Sequence, residues 1–312
     1  MVGSVATSVV LPTRDRAGGL HRIVAPLLAD PAAHEVVVVV DGSRDGSRAV
    51  VEGLARADPR VRPVWLDGRG EMAARQAGAE AARGDVLVFV DDDVLAGTAL
   101  VTGHARHHAA RGGLVVLGYM PVPETAEGFA SRLYRREYEE RCSTYERDPS
   151  NVLLHLWAGN FSMRRSDCLA VGLADDAYDE RYHPDTDFGL RCLAAGLEGR
   201  FDRRLRASHL HRRALPEFTR DARSQGAARV LLRELHGPAP LPRNAFETGL
   251  PGPARRVVRL ARRPRATTLL RALLGAGVGG AGRLRAAAVE DACARILRRI
   301  EQQRGAIDRR RG

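Results

Sequence analysis

The chain has 312 residues, 44% of them hydrophobic and 5% aromatic, and a formal net charge of +11. That is enough for one large domain with an appendage, its core filled by Val, Leu and Ala rather than by rings. No uninterrupted apolar run reaches membrane-spanning length, and Cys142, Cys168, Cys192 and Cys293 sit at neither C-x-x-C nor metal-finger spacing, which excludes a zinc finger and reads as free thiols in a reducing compartment.

In chain order, Ser8–Leu11 reads as a strand running into the turn Pro12-Thr13-Arg14-Asp15-Arg16. The stretch from Val5 to Leu11 is too short for a signal peptide and no positive region precedes it, so a cytoplasmic protein is expected, with peripheral membrane contact left open. Helical spacing follows from Gly19 to Leu28. Glu35–Val40 is a second strand, apolar on both faces as in a covered parallel sheet. It ends at Asp41-Gly42-Ser43, and Val50 to Ala57 continues as a helix. Val61–Trp65 is a shorter strand whose Pro63 suggests an edge. An Ala-rich helix, Glu71 to Ala82, leads to the strand Val86–Val90 and the triplet Asp91-Asp92-Asp93. The alternation of strands and helices predicts a doubly wound, mainly parallel α/β sheet. Thr13, Asp15, Asp41 and Asp91–Asp93 then meet on one rim, at the strand ends where open sheets bind ligands.

Three adjacent carboxylates repel one another and need water, arginine or a cation to compensate them. The triplet alone reads equally as a solvated acidic turn. His104, His107 and His108 fall on a helix expected to be exposed, which argues against a metal cluster. The second half is mixed: a strand at Leu114–Tyr119, a charged helix at Phe129–Arg147, a loop into a strand at Trp157–Met163, and helices at Asp185–Ala195 and Phe218–Leu235. Gly237-Pro238-Ala239-Pro240-Leu241-Pro242 reads as a linker to Arg-rich helical pieces.

Several motifs in order resemble family 2 glycosyltransferases of the GT-A fold: Ser8–Arg16, Glu35–Ser47, Ala74-Arg75-Gln76-Ala77-Gly78, Gly84-Asp85 with Asp91–Asp93, Gly159–Arg165, Tyr178-Asp179-Glu180, Asp185–Arg191, and a late histidine at His209 or His211. The resemblance spans residues 5 to 235. Val40 stands where many members carry a first aspartate, and Pro184 replaces an acidic residue that often precedes the catalytic base.

The resemblance implies a GT-A catalytic domain over 1–236, with a nucleotide-sugar half (1–120) and an acceptor half (121–236), followed by a basic helical C-terminal extension (237–312). It implies a metal-dependent inverting transfer of a sugar from a UDP-, dTDP- or GDP-sugar to an acceptor that is a saccharide, a lipid-linked compound or a small molecule. Pro12, Thr13, Asp15, Asp41, Arg75, Asp91 and Asp92 belong to the nucleotide-sugar segment. Asp41 would accept from the base's imide N–H or else support its own turn; Asp15 would line the pocket or cap the next helix; Arg75 would meet the phosphates or pair with Asp85 or Asp91.

Asp91 and Asp93 alternate onto one side, toward a Mg²⁺ or Mn²⁺ ion, while Asp92 points away as a helix cap. His209 or His211 completes the metal shell, tilting it toward Mn²⁺. Asp185 is the expected general base, with Asp187 as rival and Arg191 orienting one of them. Trp157, Asn160 and Asp187 are expected on the acceptor side.

Two other functions compete. A nucleotidyltransferase calls for a Gly-rich, Lys-containing phosphate loop near the N-terminus, and none is present. A non-catalytic sugar-nucleotide or membrane-binding protein would lack Asp93 or Asp185, and both are here. The Arg-rich tail reads as a solvated appendage or homodimer contact, or as a surface for anionic lipid; no nucleic-acid recognition motif accompanies its charge.

Overall fold

The computed structural model describes residues 5–175, 178, 183–210, 213–238, 246 and 249–311. They fall into two compact units. The first comprises Met1–Pro123, Glu139–Ala177 and Asp185–Leu210; the second comprises Glu124–Tyr138, Tyr178–Pro184 and His211–Gly312. Compactness thus divides the chain elsewhere than composition does, and most of the Pro-rich stretch 237–242 lies outside the described residues.

The first unit is built on one mixed sheet. Strand β1 (Thr7–Thr13), helix α1 (Leu20–Ala29), β2 (Ala33–Asp41), α2 (Ser47–Ala57), β3 (Val61–Leu66), α3 (Glu71–Ala81) and β4 (Val86–Val90) follow the expected alternation. After β4 come β5 (Val94–Ala96), α4 (Leu100–His108), β6 (Leu114–Tyr119) and α5 (Phe129–Arg147), a helix whose residues are divided between the units. The first unit closes with α6 (Asn151–Leu154), β7 (Asn160–Arg164), α7 (Arg165–Val171), α8 (Pro184–Ala194) and β8 (Glu198–His209).

The strand order is β3-β2-β1-β4-β7-β6-β8-β5. The first four strands are parallel, which sets the C-terminal ends of β1, β2 and β4 side by side. β7 inserts antiparallel between β4 and β6, so its first residue, Asn160, lies opposite Val90. Val36–Val40 are buried throughout, as a strand covered on both faces requires, and β3 with its Pro63 is an edge. Phe89 and Phe161, opposite one another in β4 and β7, stack with centroids 4.5 Å apart in the core.

Two strands were not apparent in the sequence. β5 is only three residues long. β8 carries four arginines among twelve residues. It is a strand because Leu205 and Ala207 face the core, while Arg203 outside finds Glu139 at 2.9 Å, Glu146 at 2.7 Å and the ring of Tyr119. β8 runs parallel to β6 and antiparallel to β5, where His209 lies opposite Val94.

The second unit is helical: α9 (Leu215–His236), α10 (Gly252–Leu260), α11 (Pro264–Arg283) and α12 (Ala287–Arg309). Its small cores are separate. Phe129, Leu133, Phe218, Val278 and Ala294 form one, and Val258, Ala261 and Ile300, with Leu270 and Leu274 against them, form another. Among the described residues, no helix is long and apolar enough to cross a membrane.

Candidate functional site

The acidic rim forms where β4 ends. The backbone N–H of Asp91 donates to the carbonyl of Gly159 at 3.2 Å, which ties the end of β4 to the entry of β7. Gly159 has φ +123°, and a Cβ there would lie 2.7 Å from the Asp91 carboxylate, so a side chain at this position would close the rim. From α3, Arg75 Nη2 donates to Asp91 at 2.6 Å and pairs with Glu71, one turn earlier, at 2.7 Å.

Arg75 is 1% exposed, among the largest fully buried side chains. Burial alone would lower its pKa; Asp91, Glu71 and Asp185 outweigh that and hold it raised. Its Nε is buried with no hydrogen-bond partner among the described residues, a donor left over after the protein's own pairing.

Asp185 opens α8. Its carboxylate accepts from the backbone N–H of Ala158 at 3.1 Å and of Thr186 at 2.9 Å, which fixes its direction. The group is half-buried, yet protein atoms crowd it enough that desolvation pushes its pKa up to about 6, against the pull of Arg75; the charge of Glu71 adds to the rise. Asp187, two residues on, is 1% exposed and pairs with Arg191 at 2.9 Å. Arg191 in turn donates to the carbonyls of Val171 at 3.2 Å and Leu173 at 2.9 Å. Of the two residues, Asp185 is partly exposed and Asp187 is buried.

Asp92 and Asp93 continue the rim. Thr13 Oγ1 donates to Asp92 at 2.8 Å, and the Arg16 guanidinium stands 3.3 Å from Asp92 and 3.5 Å from Asp93. Burial pushes Asp92 up to about 6; Thr13 and Arg16 pull it down, and Asp93 and Asp91 add to the rise. The helix-cap role expected for Asp92 does not arise, because the residues after it form β5 and the N-cap of α4 is Ala99. Asp93 faces His209 Nε2 at 3.4 Å. His211 lies outside the described residues, as do Asp179 and Glu180.

A cleft of about 360 Å³ opens here, lined by Asp15, Arg16, Arg22, Asp92, Asp93 and Leu210 among others. Asp93 lines this cleft and His209 stands against its carboxylate, a donor pair of types that suit Mg²⁺ or Mn²⁺ with phosphate and water oxygens completing the shell. Among the described residues, no three His, Cys, Asp or Glu side chains form a ready metal cluster.

The other predicted residues have more structural employment. Asp41 is 4% exposed and accepts from the backbone N–H groups of Arg69 and Gly70, both at 2.7 Å, folding the loop after β3 onto the end of β2. Gly42, at φ +64°, lets that loop approach: a Cβ would sit 2.7 Å from Gly68 N. Each Asp41 oxygen still has a second acceptor site. Asp15 accepts from Arg44 N at 2.7 Å and does not cap α1, whose N-cap is Gly19. Pro12 is buried within β1, opposite Val39. Trp157 is half-buried beside Ala158.

Asn160, expected on the acceptor side, is 0% exposed; its amide donates to the Leu205 carbonyl at 3.0 Å and meets His104 Nε2 at 2.9 Å. The helix carrying the histidines is not exposed where expected. His104 and His108 are both buried and both hydrogen-bond Ser162 Oγ at 2.8 Å. Desolvation drives them down to about 3 and about 4, so they are neutral links between α4 and β7.

Arg16, Glu71 and the His104–Asn160 link carry roles that sequence reasoning did not assign. Only Glu71 left a signal, its spacing of four residues from Arg75.

The model of the family described as "Glycosyl transferase family 2" matches residues 8–171. The chain is 30% identical over 134 residues to an uncharacterized glycosyltransferase, YfnE, of Bacillus subtilis strain 168, covering 42% of this chain and 32% of that protein. It is 38% identical over 107 residues to a validoxylamine A glucosyltransferase of Streptomyces hygroscopicus subsp. jinggangensis, covering 33% of this chain and 25% of that protein. The matched stretches thus span a third or less of these curated relatives. Among solved structures, a mannosyltransferase, PcManGT, of Pyrobaculum calidifontis in complex with GDP-Man and Mn²⁺ superposes with TM-score 0.61 at 17% identity, over 96% of this chain and 87% of that one. GalNAc-T7 with UDP, GalNAc and Mn²⁺ superposes with TM-score 0.53 at 17% identity, over 72% of this chain and 48% of that one. At that identity, the likeness is one of fold.

Proposed function

The chain belongs to glycosyl transferase family 2 and has the GT-A fold, and from that premise we propose that it transfers a sugar from a nucleoside-diphosphate donor to an acceptor hydroxyl with inversion at the anomeric carbon. The observation that carries this reading is Asp185. It is a half-buried carboxylate held by two backbone N–H groups and pushed up to about 6 by desolvation, within the field of a buried arginine that also binds the acidic rim. A base with that pKa is ionised at neutral pH and still takes up a proton readily.

In the proposed reaction the acceptor oxygen attacks C1 of the sugar and its proton passes to the Asp185 carboxylate. The bond between C1 and the diphosphate oxygen breaks in the same displacement, and its electron pair leaves with the nucleoside diphosphate. Thr13, Asp15, Asp41 and Asp92 hold the nucleotide at the strand ends. Arg75, held against Asp91 at the rim, sets its positive charge behind the donor's diphosphate. Asp93 and His209, with Asp91 adjacent, would hold a Mg²⁺ or Mn²⁺ ion, which when bound neutralises charge on the diphosphate. The acceptor enters beside Trp157 and Asp185. The mannosyltransferase neighbour in complex with GDP-Man and Mn²⁺, and GalNAc-T7 with UDP, GalNAc and Mn²⁺, support a nucleotide-sugar donor and a divalent cation.

The test is a thermal-shift screen with UDP, dTDP and GDP, each with Mn²⁺ or Mg²⁺. One nucleoside diphosphate is expected to raise the melting temperature in a metal-dependent way, and Asp93→Ala to abolish that rise. Absence of a shift with all three would sink the donor-binding reading.

A further inference from the structure

Positive charge is concentrated in one stretch of the second unit. Residues 252–285 hold nine arginines and no Asp or Glu, a local charge of +9 in a chain whose net charge is +11. They span α10 and α11. The inward sides of these helices meet at Val258, Ala261, Leu270 and Leu274, against Ile300 of α12. Their outward sides carry two kinds of residue. Arg255, Arg256, Arg259, Arg262, Arg263 and Arg265 are exposed.

Large apolar residues are exposed there too: Leu260 at 46%, Leu269 at 61%, Leu273 at 59% and Leu284 at 82%. Leu269 and Leu273 are four apart in α11, so they lie one above the other on a single helix face, with exposed Ala272 and Ala276 continuing it. Of the seven exposed large hydrophobic residues among those described, five fall between Leu260 and Val289.

We propose that this arginine-flanked leucine face of α10 and α11 docks the protein onto an anionic lipid surface. Exposed leucines flanked by exposed arginines, in a stretch that has no acid of its own, match a bilayer interface, where acyl chains take the leucines and anionic headgroups take the guanidiniums. A second copy of the chain would set one arginine-rich surface against another. A nucleic acid would answer the charge and leave the leucines in water. No described helix is long and apolar enough to cross a membrane, so the contact is interfacial.

Co-sedimentation of the full chain with vesicles tests this. The protein is expected to bind phosphatidylcholine vesicles containing phosphatidylglycerol, to ignore pure phosphatidylcholine, and to be released as salt screens the headgroups. Replacing Arg255, Arg256 and Arg259 by Gln removes three charges and is expected to weaken binding about 100-fold. Leu269→Asn with Leu273→Asn leaves the charge unchanged and is expected to weaken it at least about 10-fold. Both variants alter exposed positions, and circular dichroism and melting temperature check that they fold.

Three results would overturn the proposal. The protein stays in the supernatant with anionic vesicles at low salt. The leucine variant binds them as tightly as the parent, which would assign the surface to a polyanion such as nucleic acid. Or the parent is a dimer that the leucine variant dissociates, which would assign it to a second copy. None of these readouts depends on sugar transfer.

Discussion

The two compact units handle carboxylates in opposite ways. In the helical unit the acids between α5 and α12 are met by guanidiniums of their own neighbourhood. Arg132 holds Glu290 at 2.6 Å and Asp291 at 2.7 Å, Arg223 holds Asp308 at 2.6 Å, and Glu301 sits between Arg271 and Arg304. On the rim of the sheet unit, Asp91, Asp92 and Asp93 follow one another with Arg16 and Arg75 beside them, Asp185 stands in the field of Arg75, and burial pushes both Asp92 and Asp185 to about 6. A fold that needed those acids only for itself would match them, as it matches Asp187 with Arg191 in the same helix as Asp185. Excess negative charge held half-buried at strand ends is the arrangement a cation and a phosphate-bearing ligand complete.

The contrast breaks most visibly in transfer activity. Asp93→Ala is expected to remove metal-dependent donor binding and with it nearly all turnover. Asp185→Asn is expected to keep donor binding and lower kcat about 10²–10⁴-fold, read as nucleoside diphosphate release against donor-induced melting shift. In the parent, the rising limb of kcat with pH should have its midpoint near the pKa of about 6 pressed on Asp185. Full turnover by Asp185→Asn would move the base elsewhere. Loss of donor binding in that variant would make Asp185 part of the donor site instead.

Stability should separate the units next. Arg75→Met leaves the largely covered Asp91 without the buried cation it pairs with, and breaking such a pair costs about 3–5 kcal/mol; Glu71, 56% exposed, adds little. Arg132→Met removes a half-exposed partner from Glu290 and Asp291 and is expected to cost about 1–3 kcal/mol, with donor affinity unchanged. Denaturant midpoints measure both. If Arg132→Met weakened donor binding, the helical unit would not be the self-contained structural element its pairing indicates.

Much of this contrast could be read before any coordinates. Continuous valine in β2 signalled a covered parallel strand, and the order of turns after β1, β2 and β4 put the acids on one rim. What escaped were features in which sequence pattern and tertiary partner disagree. β8 was hidden because its arginines look solvated until Glu139, Glu146 and Tyr119 are placed beside them. His104 and His108 read as surface residues in the sequence, since polar side chains on a helix give no hint that Ser162 and Asn160 wait on the facing strand. For the same reason Asn160 resembled an acceptor contact while its amide is occupied in the core. Asp185 and Asp187 have identical chemistry two residues apart, and only burial tells them apart.

The smallest expected effect tests whether the rim charges burden the fold. The folded state raises the Asp185 pKa from 3.8 to about 6, so it favours the protonated form more than the unfolded chain does. The sign follows from linkage: this carboxyl favours folding most at pH below 3.8, loses that contribution as pH rises to about 6, and adds no further change above. Asp185→Asn cannot ionise and escapes the loss. It does pay a constant penalty, because an amide presents one acceptor oxygen where Ala158 and Thr186 now donate to two. The offset between variant and parent therefore carries no information, and its pH dependence carries the sign. The variant should gain on the parent by about 1 kcal/mol between pH 4 and pH 7, allowing for solvent screening of a half-exposed group. That is a melting shift of about 2–4 °C for a unit of this size, read without ligand or metal. A variant that lost ground over that range would show that the ionised carboxylate supports the fold, and Asp185 would then stand with Asp187 as a structural acid.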